Sequence, residues 1–187
     1  KDLVDFYHLQ ADMWGMKMAI SVQLPGSGGT PEKAAELVRY TMEKGYDVRY
    51  WSIGNEPDLI AAYKTIQQLT NFADVRIDDY NRDWRLVAEA MLAVNPDIMF
   101  VGPDVSQFPY TPEGDPYTNV RREWVREFLK ANGDLVDIVS VHRYPFPLTN
   151  TSSTTIEELQ ANPPQWDVLV ENLRSVVQEA AGNNMPI

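Results

Sequence analysis

Four short apolar segments recur along the chain, and each is followed by polar residues and then by a helical pattern. The segments span residues 16–24, 48–53, 98–101 and 136–141. Strand-length segments that are apolar throughout are typical of parallel strands buried on both faces. Because strands and helices alternate, the repeat predicts an α/β fold with a parallel sheet. The polar positions that follow the strands are 23–24, 54–56, 102–104 and 142–144.

These polar positions would lie together on one rim, at the carboxyl ends of the strands. That is the layout of a (β/α)₈ barrel, whose active site lies at this end. An open sheet of flavodoxin type is the alternative, and it usually carries a glycine-rich phosphate loop. No G-x-G-x-x-G follows a strand here, and the loop at 26–29 lacks the lysine of a P-loop. We therefore expect a barrel.

Helical periodicity and terminal signals define the elements between the strands. Thr30 is a predicted N-cap with Pro31 at the first helical position. The tryptophans of the helices fall on apolar stripes and are predicted to be buried, as is Trp51 within its strand. The predicted helices cover residues 2–14, 31–44, 79–94, 120–131 and 166–181, and Asn119 is the predicted N-cap of the fourth.

Composition excludes several classes of function. The net charge of −11 argues against nucleic acid and anionic membrane surfaces as partners. The chain has no cysteine, which excludes disulfides, thiolate metal sites and a cysteine nucleophile. With two histidines far apart in sequence, no metal site is expected. The sequence leaves the oligomeric state open, and also the compartment, since a chain without cysteine is compatible with a secreted or periplasmic protein.

The second apolar segment ends in the sequence Ser-Ile-Gly-Asn-Glu-Pro. Gly54 interrupts the strand, and Pro57 fixes φ and cannot donate to a further ladder hydrogen bond. Asn55 and Glu56 therefore lie where the chain leaves the sheet. A carboxylic acid beside a carboxamide combines a proton donor with a hydrogen-bonding side chain.

This strand and its Gly-Asn-Glu-Pro resemble the fourth-strand signature of the clan A retaining glycoside hydrolases. The resemblance implies that Glu56 is the general acid/base and that Asn55 holds the 2-hydroxyl of the sugar. Retention requires a second carboxyl group, the nucleophile, ~5–5.5 Å away. In the clan this is a glutamate at the end of the seventh strand, which places it beyond Ile187. The implied fold is a partial (β/α)₈ TIM barrel, about strands 3 to 6 with the start of strand 7, and residues 1–187 are then a single incomplete catalytic domain.

Other residues of the predicted rim are candidates for substrate binding. The resemblance implies that His142 and Tyr144, after the last strand, line the sugar site. Asp104 and Gln23 follow two other strands and are predicted to contact the substrate by position. Glu56 with Asp104 as an inverting pair, at a wider separation, is an alternative.

Three strings together, Ser-Ile-Gly-Asn-Glu-Pro-Asp-Leu, Val-Gly-Pro-Asp and Ser-Val-His-Arg-Tyr-Pro, are most similar to the heparanase and β-glucuronidase branch of the clan. That branch implies a β-glucuronide substrate. The β-xylosidases and α-L-arabinofuranosidases carry similar strings and remain alternatives. The expected partner is an oligosaccharide or polysaccharide, with no cofactor. A non-catalytic glycan-binding barrel, or a barrel enzyme that uses Glu56 to abstract a proton beside a carbonyl, are the alternatives of other classes.

Overall fold

The computed structural model describes residues 1–59, 77–109, 116–145, 155–182 and 185–187. Four strands form a parallel sheet whose spatial order is the order along the chain: β1 (Ala19–Val22), β2 (Tyr50–Ile53), β3 (Met99–Val105) and β4 (Ile138–Val141). The register aligns Ser21, Ser52, Val101 and Ile138 across the sheet. The predicted parallel α/β arrangement is therefore confirmed.

The described helices are α1 (Asp2–Trp14), α2 (Pro31–Glu43), α3 (Ile77–Leu92), α4 (Pro116–Asn132), α5 (Ile156–Gln160) and α6 (Pro164–Ala181). Helix α1 precedes β1, helices α2 to α4 lie between consecutive strands, and α5 and α6 follow β4. The predicted cap of α2 is present, because the Thr30 side chain accepts a hydrogen bond from the Lys33 amide at 3.2 Å. No helix in the described parts of the chain is long and apolar enough to cross a membrane.

The core lies between the sheet and the helix layer formed by α2, α3 and α4. Trp51 and Phe100, on neighbouring strands, are fully buried. The Trp84 ring of α3 meets the rings of Phe100 and Phe128 edge-on, at centroid distances of 5.3 and 5.0 Å. Edge-to-face contacts of this kind add to the stabilisation from apolar burial. This aromatic cluster fixes the sheet against its helices, and hence the position of the rim.

The opposite face of the sheet is more open. Ser21 is exposed, while Ser52, Val101 and Ile138 are half-buried. Within the described residues, helices cover one face of the sheet only. The expectation that the strands are buried on both faces is thus not met in this chain, whereas the inner side of a barrel is filled by side chains from all of its strands.

Several predicted boundaries differ from the structure. The third strand is longer than predicted, because β3 continues through Pro103 and Asp104 and pairs Pro103 with Ser140. Helix α4 begins at Pro116, so Asn119 lies within the helix instead of capping it. Helix α3 spans Ile77–Leu92, two residues earlier than predicted.

The predicted burial is wrong for two of the tryptophans. Trp14 is 71% exposed and Trp166 is 40% exposed, whereas Trp84, Trp124 and Trp51 are buried as predicted. Helix α1 contacts α2 and the segment after it through its polar side: the hydroxyl groups of Tyr40, in α2, and Tyr46, which follows α2, donate to Asp5. The apolar stripe of α1, with Trp14, consequently faces outward.

Candidate active site

The Gly-Asn-Glu-Pro motif begins with a backbone conformation that only glycine adopts easily. Gly54 has φ +87°, and its amide donates to the Val22 carbonyl at 2.8 Å. Its own carbonyl accepts from the Ser21 hydroxyl at 3.0 Å. A Cβ at Gly54 would lie 2.8 Å from Leu24 Cδ1, closer than carbon atoms approach one another. The motif therefore leaves β2 along a path that glycine makes possible.

Glu56 is held by its backbone against the end of β3. Its amide donates to the Asp104 carbonyl at 3.0 Å. Both residues lie in the left-handed region, Glu56 at φ +46° and Asp104 at φ +56°. Such backbone costs on the order of 1–3 kcal/mol per residue and is found preferentially at functional sites.

The Glu56 carboxyl group is 17% exposed and contacts a histidine. Its Oε1 lies 3.0 Å from Nδ1 of His142. The other ring nitrogen, Nε2, lies 4.0 Å from Oδ1 of Asp104. The His142 backbone is fixed as well, because its amide donates to the Val105 carbonyl at 2.8 Å. The imidazole thus lies between two carboxyl groups and can hold the nearer one by a hydrogen bond.

Asp104 is directed toward this histidine by a β-bulge. The register between β3 and β4 shifts from Pro103 to Val105, which leaves Asp104 as the extra residue. The Ser140 hydroxyl donates to Asp104 Oδ1. Ser140 was not among the residues predicted from the sequence. The signal was present, since Ser140 is a polar residue within an apolar strand, two positions before His142 and so on the same face.

Behind the motif, Tyr80 of α3 joins the ends of two strands. Its buried hydroxyl lies 3.4 Å from the carbonyl groups of both Ile53 and Pro103. Burial raises the pKa of Tyr80 well above its usual value, and the negative charges of Asp104 and Asp58 act in the same direction. Tyr80 is therefore a neutral support for the site and not a proton carrier.

The remaining predicted site residues lie on the same rim without touching Glu56. Asn55 and Gln23 are exposed, and Gln23 Oε1 would lie 3.9 Å from a Cβ at Gly28. Tyr144 is 58% exposed, and its amide donates to Gln107 Oε1 at 3.1 Å. Among the hydrogen bonds of the described residues, none joins these three side chains to Glu56. The structure thus brings Glu56, His142 and Asp104 together and leaves the other three side chains open to a ligand.

The described residues contain no group of three or more histidine, aspartate or glutamate side chains arranged to hold a metal ion. What the arrangement can do chemically is move a proton: a partly buried carboxyl group is oriented by an imidazole and faces an open rim.

Comparison with known proteins assigns the fold. No protein-family model and no curated protein sequence matches the chain. Among solved structures, it is similar to a family 51 α-L-arabinofuranosidase from Bifidobacterium longum, with TM-score 0.64, 16% identity, and coverage of 98% of this chain and 36% of that one. It is similar to a glucosidase from Croceicoccus marinus, with TM-score 0.64, 18% identity and coverage of 97% and 35%. It is also similar to the family 44 endoglucanase Cel44A from Clostridium thermocellum, with TM-score 0.65, 16% identity and coverage of 95% and 51%.

The chain thus spans between about a third and a half of the length of these proteins. They are glycoside hydrolases with TIM-barrel folds, and the likeness extends over nearly all of this chain. The predicted fold, part of a (β/α)₈ barrel, is confirmed. The neighbours share this barrel fold, and they do not distinguish the heparanase and β-glucuronidase branch.

Proposed function

We propose that this chain carries the acid/base half of a retaining glycoside hydrolase site, with Glu56 as the general acid/base. The observation that carries the proposal is the position of the Glu56 carboxyl group. It stands at the carboxyl end of a parallel strand, on strained backbone, 3.0 Å from the imidazole of His142. In barrel enzymes the reacting groups stand at this end of the strands.

In the proposed reaction, protonated Glu56 donates to the glycosidic oxygen as the leaving group departs. Ionised Glu56 then accepts a proton from the water that releases the sugar. His142 orients the carboxyl group through Nδ1, and Asp104, which accepts from the Ser140 hydroxyl, lies 4.0 Å from Nε2 on the far side of the ring. Both steps need the same carboxyl oxygen to face the bond that is cleaved, which the histidine contact secures.

The side chains that bind the substrate are proposed from their position on the rim. Asn55 would bind the sugar 2-hydroxyl, and Tyr144 and Gln23 would line the subsite, together with any part of Asp104 that faces the substrate. All but Asp104 are exposed beside the motif, as residues that meet a ligand must be. The partner is an oligosaccharide or polysaccharide.

The nucleophile is proposed to be a glutamate beyond Ile187, so residues 1–187 form a single incomplete (β/α)₈ catalytic domain. The short coverage of the solved neighbours supports this proposal. An inverting pair of Glu56 and Asp104 is less well supported, because inversion needs a water between the carboxyl groups and here both contact one histidine. Activity tests therefore use the polypeptide that carries the whole barrel.

For the sugar, we propose a β-glucuronide, with xylosides and α-L-arabinofuranosides as the alternatives. The test is a panel of nitrophenyl and dinitrophenyl glycosides: β-glucuronide, β-xyloside, β-glucoside and α-L-arabinofuranoside. We expect hydrolysis of one class with retained configuration at the anomeric carbon. Glu56→Gln should lower kcat/KM by at least about 10²-fold on the nitrophenyl glycoside. Glu171→Gln, on the exposed surface of α6, is the matched control and should leave the rate unchanged.

Three outcomes would contradict the proposal. Binding of oligosaccharide without hydrolysis of any glycoside indicates a non-catalytic glycan-binding barrel. Hydrolysis with inversion at the anomeric carbon indicates that the residue acting together with Glu56 is not a nucleophile. Exchange of the proton next to a carbonyl, without glycoside hydrolysis, indicates a proton-abstracting enzyme.

A further inference from the structure

A second polar cluster lies directly behind the Glu56 turn and is completely enclosed. It consists of Asp58, Ser106 and Arg121, which are 1%, 1% and 3% exposed. We refer to these three residues as the Asp58 clamp. They come from three places in the fold: the turn after β2, the segment after β3, and helix α4. Charged side chains are rarely buried to this degree without a specific structural demand.

The contacts of the Asp58 clamp are short and use both carboxylate oxygens. The Ser106 amide donates to Asp58 Oδ1 at 2.7 Å, and the Ser106 hydroxyl donates to Oδ2 at 2.6 Å. Arg121 Nε lies 3.1 Å from the same Oδ2 and donates to the Ser106 hydroxyl at 3.1 Å. Hydrogen bonds to an ionised group are the stronger ones, and burial makes the loss of one partner costly.

The clamp makes a second link between the two chain segments that the Glu56 amide already joins. The Glu56 amide bonds to the Asp104 carbonyl, and two residues further along both segments Asp58 bonds to the amide of Ser106. Two crosslinks therefore join the same two segments beyond the end of the sheet, on either side of Pro57. Pro57 is buried and has no amide hydrogen, so its own backbone cannot donate a hydrogen bond to the segment after β3.

This double link explains how Glu56 keeps its left-handed backbone. A residue at φ +46° relaxes to ordinary backbone unless its neighbours hold it. The bond to Asp104 fixes the Glu56 amide, and the clamp fixes the chain two residues later. Rotation of the Glu56 backbone would need both links to open.

We propose that Asp58, Ser106 and Arg121 are positioning residues that hold the proton-donating carboxyl group of Glu56 in place, an inference that rests on the proposed function. They are buried and reach no substrate, so they act through the Glu56 backbone. A displacement of about 1 Å at a reacting group can lower a rate by about 10²-fold. The clamp is therefore part of what makes the acid effective.

The first test reads the backbone directly and does not depend on activity. Amide hydrogen exchange is measured at Glu56 and Ser106 in the wild-type protein and in Asp58→Asn, which keeps the size of the side chain and removes its charge. We expect exchange at Glu56 to rise at least about 10-fold relative to the amides of β1 to β4. Unchanged exchange at Glu56 would overturn the proposal.

Asn132→Ala is the matched control. Asn132 is also completely buried and links two elements, because its side chain donates to the Asn81 carbonyl and accepts from Arg85. It joins α3 to α4 away from the rim. The loss of the Asn132 side chain should leave exchange at the Glu56 amide, measured relative to the amides of β1 to β4, as it is in the wild-type protein. Should Asp58→Asn fail to fold, Ser106→Ala removes only the hydroxyl link and should raise exchange at Glu56 by a smaller factor.

The second test separates positioning of an acid from general loss of structure. A misplaced acid slows the hydrolysis of substrates whose leaving groups need a proton. It has little effect on substrates whose leaving groups depart without one. Both glycosides carry the sugar that the enzyme is found to hydrolyse. Asp58→Asn should lower kcat/KM by about 10–100-fold for the phenyl glycoside and by less than about 3-fold for the dinitrophenyl glycoside. Asn132→Ala should change both rates by the same factor.

Equal losses of Asp58→Asn on both glycosides would overturn the positioning role. If the proposed function is wrong, the result differs: the loss of kcat/KM in Glu56→Ala would then not depend on the leaving group. In that case the exchange measurement alone decides whether the clamp holds the Glu56 turn.

Discussion

Replacing Gly54 by alanine should destabilise the protein through two separate causes, and the structure offers a control for one of them. Gly45 at the end of α2 has φ +70°, and a Cβ there would meet nothing within 4 Å. Gly54 has φ +87°, and a Cβ there would lie 2.8 Å from Leu24 Cδ1. Left-handed backbone costs a non-glycine residue about 1–2 kcal/mol. Gly45→Ala should therefore lower the free energy of unfolding by about that amount.

Gly54→Ala carries the same backbone cost and a steric one. Forcing extra carbon into a packed site typically costs about 1–3 kcal/mol. The total expected loss is about 2–5 kcal/mol. The assay is equilibrium urea unfolding of both variants, with the loss obtained from the shift in midpoint at a common slope.

A double-mutant cycle isolates the contact. In the Leu24→Ala background the Gly54→Ala loss should shrink to that of Gly45→Ala, because the carbon atoms at 2.8 and 3.2 Å are then gone. Equal losses for the two single glycine variants, or a cycle with no coupling, would refute the steric contribution. They would also refute the close approach of the segment after β1 to the motif.

Two further predictions concern the helix layer. The hydrogen bond to Asp5 raises the pKa of Tyr40 to about 12, so the folded state holds this proton more tightly than the unfolded chain, in which the pKa is about 10. Its contribution to stability is then fully present below pH 10 and is lost as pH rises through 12; in Asp5→Asn, ultraviolet titration of the phenolate should return the pKa of Tyr40 toward 10. Phe128→Ala should lower the free energy of unfolding by about 3–5 kcal/mol in a urea titration, since its ring is fully buried against Trp84, while exposed Leu86→Ala should cost less than about 1 kcal/mol. A loss for Phe128→Ala no larger than for Leu86→Ala would contradict the core described above.

The strands and the rim could be predicted because their signals are local. An apolar run, a Gly and a Pro around Glu56 determine where the chain leaves the sheet. Parallel order then brings the ends of β2, β3 and β4 together, which is why His142 and Asp104 were expected near Glu56. The distance between His142 and Glu56 depends on the packing of several elements and could not be predicted from spacing.

Other features depend on contacts that a sequence pattern does not contain. A helical stripe identifies which side chains share a face, but not whether another element covers that face, and this is why the predictions for Trp14 and Trp166 were wrong. The bulge at Asp104 arises from the pairing of β3 with β4, so the strand was predicted to end before it. In the Asp58 clamp, Asp58 and Ser106 are 48 positions apart in sequence, and Ser106 and Arg121 are 15 positions apart. Each residue appears in its own segment only as one polar residue, so no local pattern indicates the cluster.

Chemical rescue of Glu56→Ala tests the central claim most directly. In the polypeptide with the whole barrel, this variant should still form the glycosyl-enzyme from a dinitrophenyl glycoside, because that leaving group needs little proton assistance. Release of the sugar should be slow, and added azide should restore turnover by replacing the activated water. The expected product from a β-glycoside is a β-glycosyl azide. Undiminished hydrolysis of a phenyl glycoside by Glu56→Ala, with no response to azide, would show that Glu56 is not the acid/base and that Gly-Asn-Glu-Pro is only a turn.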